Sequence, residues 1–279
     1  MPELPEVEVV RVGLVASVAK QRINDLIVRN PALRWPVPAE LRRYLQYNSI
    51  HAIERRGKYL LFSIVDDTGI QAGCLLIHLG MTGTLVWYAG RAEQIPALRT
   101  HDHIDIVLAN GVLRYNDPRR FGSVLWAPGK QTHPLLANLG VEPLSDDFSA
   151  NVLFKQSRGR KLAVKQFLLA GHCVVGVGNI YCSESLFRAG IRPGRAAGRV
   201  TLAEYERLAS EIRLTLSEAI LKGGSTLKDF RNAAGGSGYF QLDYFVYDRA
   251  SKPCRHCSTP IKLIKQQQRA SYYCPTCQR

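Results

Sequence analysis

Four cysteines near the C-terminus have the spacing of a metal site. They form a C-x2-C pair, sixteen intervening residues and a second C-x2-C pair, at Cys254, Cys257, Cys274 and Cys277. Two such thiolate-bearing turns close a tetrahedral zinc site. The other three cysteines lack this spacing, which disfavours the alternative that these four are unrelated buried cysteines. Because protein ligands fill all four positions, we expect one structural zinc ion and no zinc-activated water.

The amino terminus is a second group that could do chemistry. Removal of Met1 would expose the secondary amine of Pro2. An α-amino group has a pKa of about 7.7 to 8.0, against about 10.4 for lysine, so a useful fraction is unprotonated at neutral pH. A secondary amine that attacks the C1′ atom of a sugar gives a cationic iminium ion directly, and Glu3 beside it could exchange a proton. From these residues alone, an ordinary trimmed terminus is the simpler interpretation.

A glycine-rich turn, "VVGVGN" at residues 174–179, precedes a predicted helix that starts at Ile180. It is not a dinucleotide-binding fingerprint, because Tyr181 stands at the third glycine position and no parallel strand precedes the turn. The free N–H groups at the start of a helix favour a phosphate. Four basic residues lie upstream and strengthen that interpretation: Arg158, Arg160, Lys161 and Lys165. A purely structural turn and a solvated basic face remain open alternatives.

The charge balance favours a polyanionic partner. Lysine and arginine number 37 against 23 acidic residues, which gives a formal charge of +14. The last 31 residues hold seven basic and no acidic residues.

The composition is typical of a globular protein, since 46% of the residues are hydrophobic, and a length of 279 residues predicts about two domains. No stretch has the roughly 18 apolar residues of a membrane span. Acidic residues at the N-terminus argue against a signal peptide, and unpaired cysteines fit a reducing compartment.

The first half of the chain is predicted to be mainly β. Apolar spacing of three to four residues predicts a helix over 6–19. Short apolar runs predict strands over 59–65, 74–79 and 122–126. Asn110 and Gly111, between the runs 104–108 and 112–115, predict a tight hairpin turn, because both residue types tolerate positive φ.

The second half, after a change of character near Pro143 to Asp147, is predicted to be mainly helical. Helices are expected over 162–169, 180–189 and 201–222. The longest begins with a capping box of Thr201 and Glu204 and is stopped by Gly223 and Gly224. The glycines up to Gly238 predict a loop after that helix.

Six motifs occur together in a fixed order. The first five are "MPELPEVE" (1–8), "RRGKYLL" (55–61), "IHLGMTG" (77–83), "DPRRFG" (117–122) and "VVGVGNIY" (174–181), and the cysteine ribbon is the sixth. With them, the chain resembles the bacterial formamidopyrimidine-DNA glycosylases, which remove oxidised purines from DNA, over essentially its whole length. The resemblance implies an α+β fold. Its expected parts are a β-sandwich flanked by helices (1–143), a helical helix-two-turn-helix domain (144–245) and a zinc ribbon (246–279).

The resemblance also implies catalytic roles. Pro2 would be the Schiff-base nucleophile and Glu3 the acid that assists base loss and opening of the sugar ring. Lys58 would donate a proton during β-elimination, and Arg269 would contact the phosphate at the lesion and assist δ-elimination. Without the resemblance, Lys58 and Arg269 are interpreted as ordinary solvated charges.

Further positions are matched to DNA contacts. These are His78, His101, Arg119, Arg160, Asn179 and Tyr247. Met81, Arg119 and Phe121 resemble the trio that fills the gap left by an extruded nucleotide, whose unstacking costs a few kcal/mol. By residue type alone, His78, Met81 and Phe121 are more typical of a core. The loop with Lys228 resembles a lid over the extruded base.

The expected partner is damaged duplex DNA, bound by a monomer in the cytoplasm in association with the nucleoid. Two other functions remain open at this point. One is an endonuclease VIII-like enzyme for oxidised pyrimidines, which the "MPELPE" start and the gap-filling trio disfavour. The other is a zinc-ribbon protein that binds DNA without cleaving it.

Overall fold

The structure, a computed structural model, describes residues 2–130, 132–224 and 244–279. The chain divides into two compact units. Among the described residues, the first unit contains those up to Ala137 and Lys222 to Gly224, and the second contains Asn138–Leu221 and the C-terminal residues.

Two antiparallel sheets form most of the first unit. The elements of this unit are α1 (Leu4–Val18), β1 (Ile23–Val28), α2 (Leu41–Leu45), β2 (Ser49–Arg56), β3 (Tyr59–Val65), β4 (Gln71–His78), β5 (Thr84–Ala89), β6 (Asp102–Leu108), β7 (Gly111–Asn116), β8 (Ser123–Ala127) and α3 (Pro134–Ala137), with a 3-10 turn at Ala92–Gln94. The strand orders in the two sheets are β1-β6-β7-β5 and β2-β3-β4-β8.

Helix α1 and both sheets share one apolar core. The helix buries the residues whose spacing predicted it, Val7, Val10, Leu14 and Val18. These side chains belong to the same cluster as Phe62 of one sheet and Leu113 of the other. Since burial of apolar area is the main stabilising term in folding, this shared cluster fixes α1 against the sheets. The predicted β-sandwich flanked by helices is confirmed.

The β6–β7 hairpin forms, but its turn lies one residue earlier than predicted. Leu108 pairs with Gly111, so Ala109 and Asn110 make the turn and Gly111 is the first residue of β7. Gly111 has a φ of 156°, and a β-carbon there would collide with the carbonyl oxygen of Tyr88 on β5. The glycine therefore allows close approach of two strands instead of forming the turn.

Helices and a two-stranded ribbon make up the second unit. Its elements are α4 (Ala150–Ser157), α5 (Val164–Leu169), α6 (Asn179–Arg188), a 3-10 turn (Ala197–Arg199), α7 (Leu202–Leu221), β9 (Lys262–Gln266) and β10 (Arg269–Tyr273). The predicted capping box is present, because the Glu204 carboxylate accepts the Thr201 N–H at 2.8 Å and Thr201 Oγ1 accepts the Glu204 N–H at 3.3 Å. Gly223 and Gly224 follow α7 with φ of 80° and 84°, as a helix stop requires.

Two of the four basic residues before α6 have structural roles. Lys165 is fully buried, and its Nζ donates to the Ala270 carbonyl and to Ser271 Oγ, each at 2.9 Å. The Arg158 guanidinium donates to the Val200 carbonyl at 2.7 Å and lies over the Phe154 ring. Because it is buried, Lys165 belongs neither to a phosphate site nor to a solvated basic face, the two alternatives left open for the four residues.

None of the helices in the described parts of the chain has the length and apolar composition needed to cross a membrane.

Candidate functional site

The start of α1 holds the chain's first residues in place. Glu3 is the N-cap residue, and its N–H donates to the carboxylate of Glu6 at 2.8 Å. Pro5 occupies the first turn, where the missing N–H of proline costs nothing. Pro2 is buried, and Glu3 and Glu6 are 2% and 0% exposed. The predicted nucleophile and acid are thus adjacent and fixed by the helix that follows them.

The segment that follows α7 begins beside this helix start. A β-carbon on Gly224 would lie 3.3 Å from Glu6 Cγ and 3.4 Å from Glu6 Oε1. Gly224 is the last described residue before 225–243, so the predicted lid residue Lys228 lies outside the described residues. The start of the predicted lid loop is therefore within the first unit, near the carboxylate that caps α1.

Lys58 lies in the two-residue turn between β2 and β3. Arg56 pairs with Tyr59, and Gly57 has a left-handed φ of 58°, which a glycine adopts without strain. The turn is joined to α1 through Arg55, whose Nε donates to Glu8 at 2.9 Å. The predicted proton donor is therefore carried by a hairpin that is fastened to the helix behind Pro2 and Glu3.

His78, at the end of β4, is a neutral hydrogen-bond donor. Burial, and then the positive charges of Lys58 and Arg34, lower the pKa of His78 to about 4. Its Nδ1 accepts the Gly80 N–H at 3.0 Å, so the ring proton lies on Nε2. A neutral imidazole with Nε2–H available can donate to a phosphate oxygen at physiological pH.

The three predicted gap-filling residues lie on two turns of the first unit. Met81 is in the turn after β4, and Arg119 and Phe121 are in the loop between β7 and β8. Met81 and Phe121 are 36% and 42% exposed, so they are not core residues. The Arg119 guanidinium lies 4.6 Å from the centroid of the Phe121 ring. Exposed apolar side chains next to a cation suit insertion into a DNA duplex.

Asp117 joins those two turns. It is fully buried, and its Oδ1 accepts the hydroxyl of Thr82 at 2.6 Å. Its Oδ2 accepts the Gly122 N–H at 2.8 Å and the Tyr115 hydroxyl at 3.1 Å. Thr82 Oγ1 in turn accepts the Arg119 N–H at 3.2 Å. The carboxylate and one hydroxyl thus hold the Met81 turn and the Arg119 loop in a fixed relation.

His101 precedes β6 in a left-handed conformation. Its φ is 71°, and its carbonyl accepts the Asp117 N–H at 3.2 Å. The neighbouring Thr100 carbonyl accepts from the Asn116 amide at 3.0 Å. The exposed His101 side chain is thereby presented by a well-bonded backbone.

The second unit carries the other predicted DNA contacts. Asn179 is the first residue of α6, and its Oδ1 is buried without a hydrogen-bond partner among the described residues. Arg160 is exposed and lies 6.0 Å from the centroid of the Phe167 ring. Arg269 is exposed at the start of β10, next to the Ala270 carbonyl that Lys165 holds.

Tyr247 is positioned by a buried carboxylate on α6. The Glu184 side chain accepts the N–H groups of Phe245, Val246 and Tyr247 at 2.8, 3.0 and 2.8 Å. The Tyr247 ring packs edge-on against Tyr272 of the ribbon, with the centroids 5.2 Å apart. The start of the ribbon segment is therefore bonded to a helix.

The four ribbon cysteines fit one structural zinc ion. Their Sγ atoms all lie within 4.8 Å of one another. Individual Sγ separations are 3.9 Å for Cys254–Cys277 and 3.4 Å for Cys257–Cys274 and Cys257–Cys277. A tetrahedron with Zn–S bonds of about 2.3 Å has edges of about 3.8 Å, so this donor set needs little adjustment. Backbone N–H groups of His256 and Cys277 donate to Cys254 and Cys274 sulfurs, as they do in zinc knuckles.

Several functional residues were missed from the sequence. Asp117, Thr82, Glu184, Lys165 and Arg55 each hold a predicted site residue through a polar contact with its turn or segment. Asp117 and Arg55 lie inside motifs that were recognised as blocks, without a role for the individual residue. Glu184 carried no signal, because a lone charged residue on a short helix is ordinarily exposed. Lys165 was assigned with its basic neighbours to a phosphate site, whereas it is buried.

Three family profiles match successive parts of the chain. They are the formamidopyrimidine-DNA glycosylase N-terminal domain over residues 1–124, the H2TH domain of the same enzymes over 139–231, and a zinc finger found in FPG and IleRS over 251–279.

Similar proteins cover the whole chain. Formamidopyrimidine-DNA glycosylases of Paraburkholderia phytofirmans and Burkholderia thailandensis are each 58% identical, over 100% of both chains. The structure is similar to that of Thermus thermophilus MutM (35% identity, TM-score 0.87, 99% and 98% of the two chains). It is also similar to Lactococcus lactis Fpg in complex with DNA containing an abasic site (32% identity, TM-score 0.88, 100% of both chains).

The neutral state of His78 predicts a pH dependence of stability. The pKa of His78 is near 4 in the folded chain and 6.5 as an ordinary value, so only the unfolded chain is protonated between them. Stability is therefore lost as the pH falls from 6.5 towards 4, by at most about 3 kcal/mol from this group. His78→Asn should flatten the pH dependence of the unfolding free energy measured by urea denaturation. The same measurement on the unsubstituted chain is the reference, and an unchanged pH dependence in His78→Asn would contradict the assignment.

The ribbon predicts one zinc ion per chain and a local response to its removal. Chelation should raise amide hydrogen exchange over 262–273, because the two short strands have few buried side chains to hold them, and should leave α1 unchanged. Cys257→Ser should lower the zinc content measured by mass spectrometry, whereas Cys74→Ala in the first unit should not. Full zinc content in Cys257→Ser would refute this ligand set.

Proposed function

Because this chain belongs to the formamidopyrimidine-DNA glycosylase family, we propose that Pro2 and Glu3 excise oxidised purines from duplex DNA and that the same site then cleaves the strand. The enzyme is a DNA glycosylase of base excision repair, acting on lesions such as 8-oxoguanine and formamidopyrimidines. The observation that carries the assignment of the site is the buried, helix-capped pair of Pro2 and Glu3.

Extrusion of the damaged nucleotide comes first. A purine in a duplex stack is inaccessible to a nucleophile that must reach C1′, so the base has to leave the stack at a cost of a few kcal/mol. Met81 and Phe121 fill the vacated space, and Arg119 pairs with the orphaned base. The Asp117–Thr82 contact supports this step, since it presents the three side chains as one preorganised wedge.

Base excision then proceeds through the N-terminal amine. The Pro2 nitrogen lone pair forms a bond to C1′ and the bond from C1′ to the base breaks. The base leaves with the proton that the newly bonded Pro2 nitrogen releases. Glu3 supplies a proton to the sugar O4′ as the ring opens, and the product is an iminium ion between Pro2 and C1′.

Strand cleavage follows from that iminium ion. It acidifies the C2′ proton, whose loss expels the 3′ phosphate in β-elimination, and a second elimination expels the 5′ phosphate. Lys58 donates a proton during the first elimination. Arg269 holds the phosphate and assists the second, because a guanidinium stabilises a departing phosphate dianion.

The remaining contacts bind the DNA backbone. Hydrogen bonds or charge for the phosphates come from His78, His101, Arg160, Asn179 and Tyr247.

Zinc, held by the four ribbon cysteines, has a structural role, since it keeps the strand that bears Arg269 folded. The role of Lys228 in a lid over the extruded base rests on the family resemblance, since Lys228 lies outside the described residues. The functional domains are residues 1–143, 144–245 and 246–279.

We also infer that the enzyme acts as a monomer in the cytoplasm, associated with the nucleoid. The formal charge of +14 supports this placement, because long-range attraction to DNA accelerates association and allows sliding. The whole-chain family match decides against the two other functions considered, the pyrimidine-specific enzyme and the non-enzymatic binder.

Borohydride reduction tests Pro2 as the nucleophile. With duplex DNA containing 8-oxoguanine, reduction should trap a covalent complex, and mass spectrometry of a tryptic digest should place the adduct on Pro2 in the peptide of residues 2–11. Retention of Met1 converts the Pro2 amine into an amide, which is not nucleophilic, and should reduce trapping at least about 100-fold. Lys58→Gln is the control for a lysine nucleophile. An adduct on Lys58, or undiminished trapping with Met1 retained, would overturn the assignment.

Thr82→Val tests the wedge. The substitution conserves shape but leaves one buried Asp117 oxygen without the Thr82 hydroxyl, a loss of about 1 to 3 kcal/mol. Affinity for lesion DNA should fall about 10-fold, while affinity for undamaged duplex, measured by fluorescence anisotropy, should change less than about 2-fold. Thr68→Val is the matched control, since it removes a threonine–aspartate hydrogen bond of the same 2.6 Å length in an exposed turn. Equal losses on both DNAs would argue against a gap-filling role.

A further inference from the structure

We propose that Arg55 is a positioning residue for Lys58 and that it sets the distance between the proton donor and the N-terminal nucleophile. The inference rests on the proposed roles of Pro2 and Lys58. It adds a residue that fixes the position of the Lys58 amine relative to the Pro2 amine.

One guanidinium connects the two elements that carry those groups. Arg55 Nε donates to Glu8 Oε2 on α1 at 2.9 Å, and Arg55 Nη1 donates to the carbonyl of Gly57 at 3.1 Å. Gly57 is the residue before Lys58 in the tight β2–β3 turn. Arg55 therefore binds the helix with one nitrogen and the backbone of the Lys58 turn with another.

The helix end of this link is well defined. Glu8 lies near the start of α1, five residues after Glu3. Its carboxylate also receives Arg11, at 2.6 Å from Nη2 and 3.0 Å from Nε. Burial alone would raise the pKa of Glu8, but hydrogen bonds from Arg11 and Arg55 hold this pKa below its usual value. Glu8 is thus an anion at neutral pH and a fixed acceptor for Arg55.

The turn end of the link controls Lys58 because the hairpin has little freedom there. The left-handed Gly57 reverses the chain within two residues, so displacement of the Gly57 carbonyl moves Lys58 with it. Arg55 is only 11% exposed, which shields both of its hydrogen bonds from competing water. A misplacement of about 1 Å between reacting groups can slow catalysis about 100-fold. Loss of the Arg55 contact is therefore expected to lower the rate of the step in which Lys58 takes part.

Arg11 provides a matched control. It shares the Glu8 carboxylate with Arg55, but its further contact is with the Ile53 carbonyl inside β2, at 3.4 Å. Loss of Arg11 removes an ion pair of the same type from the same acceptor and leaves the Gly57 contact in place. Arg11→Gln and Arg55→Gln therefore differ in the contact with the Gly57 carbonyl, which supports the Lys58 turn.

The test is a double-mutant cycle on DNA with a preformed abasic site. We expect Arg55→Gln to lower the single-turnover rate of strand cleavage about 10-fold with the dissociation constant for DNA changed less than about 2-fold. Arg11→Gln should change the rate less than about 2-fold. In a Lys58→Gln background, Arg55→Gln should produce almost no further loss, because no amine remains to be positioned. Arg55→Lys, which keeps one contact, should have an intermediate rate and also serves if Arg55→Gln folds poorly.

Each other result has a defined meaning. If Lys58→Gln slows cleavage and Arg55→Gln does not, the inference about Arg55 is wrong and the proposed role of Lys58 stands. If Arg55→Gln is equally damaging with and without Lys58, Arg55 acts through the fold or the DNA, and the inference fails. If Lys58→Gln leaves cleavage unchanged, the proposed role of Lys58 itself fails, and with it the role of Arg55.

Discussion

The hydrogen bond from the Glu3 N–H to the buried Glu6 carboxylate is the contact on which the site depends. It fixes where α1 begins, and therefore where the two residues before the helix are held. A terminus is ordinarily the most mobile part of a chain, so a catalytic N-terminal amine needs such a constraint. Burial of α1 in the core of the sandwich extends that constraint to the sheets.

Buried carboxylates recur as organisers of segments that lack regular structure. Asp117 joins two turns of the first unit, and Glu184 receives three consecutive N–H groups at the start of the ribbon. A buried anion is costly unless donors surround it, and it then rigidifies all of them together. An exposed loop has no apolar core of its own to hold it. Here, hydrogen bonds from the loop backbone to a buried carboxylate restrict the loops that are proposed to present side chains to DNA.

The sequence predicted the elements whose local signals agree with their packing. Helix α7 has a cap, an apolar face and a glycine stop, and β3 is a continuous apolar run, so both were found with nearly correct ends. Strand β2 was missed because a bulge between Ile50 and Ala52 breaks its alternation. Strand β9 has no buried residue and β10 buries only Ser271 and Tyr273, and both are held by their ladder and the cysteine turns, so no apolar pattern marks them. Of the site, the cysteines were evident from spacing alone, whereas Met81 and Phe121 required the resemblance because apolar residues on exposed turns have no local signature.

The contact of Glu184 with residues 245–247 has a consequence for how the ribbon responds to loss of its metal. Its entry segment is bonded to α6 and its exit, at Gln278, donates to the carbonyl of Ile191, so both ends are attached without the metal. Attached ends shorten the loop that must close when the metal returns, which lowers the entropy cost of reassembly. Loss of the metal therefore releases only a short segment attached at both ends, so the four thiolates stay close together for rebinding of zinc.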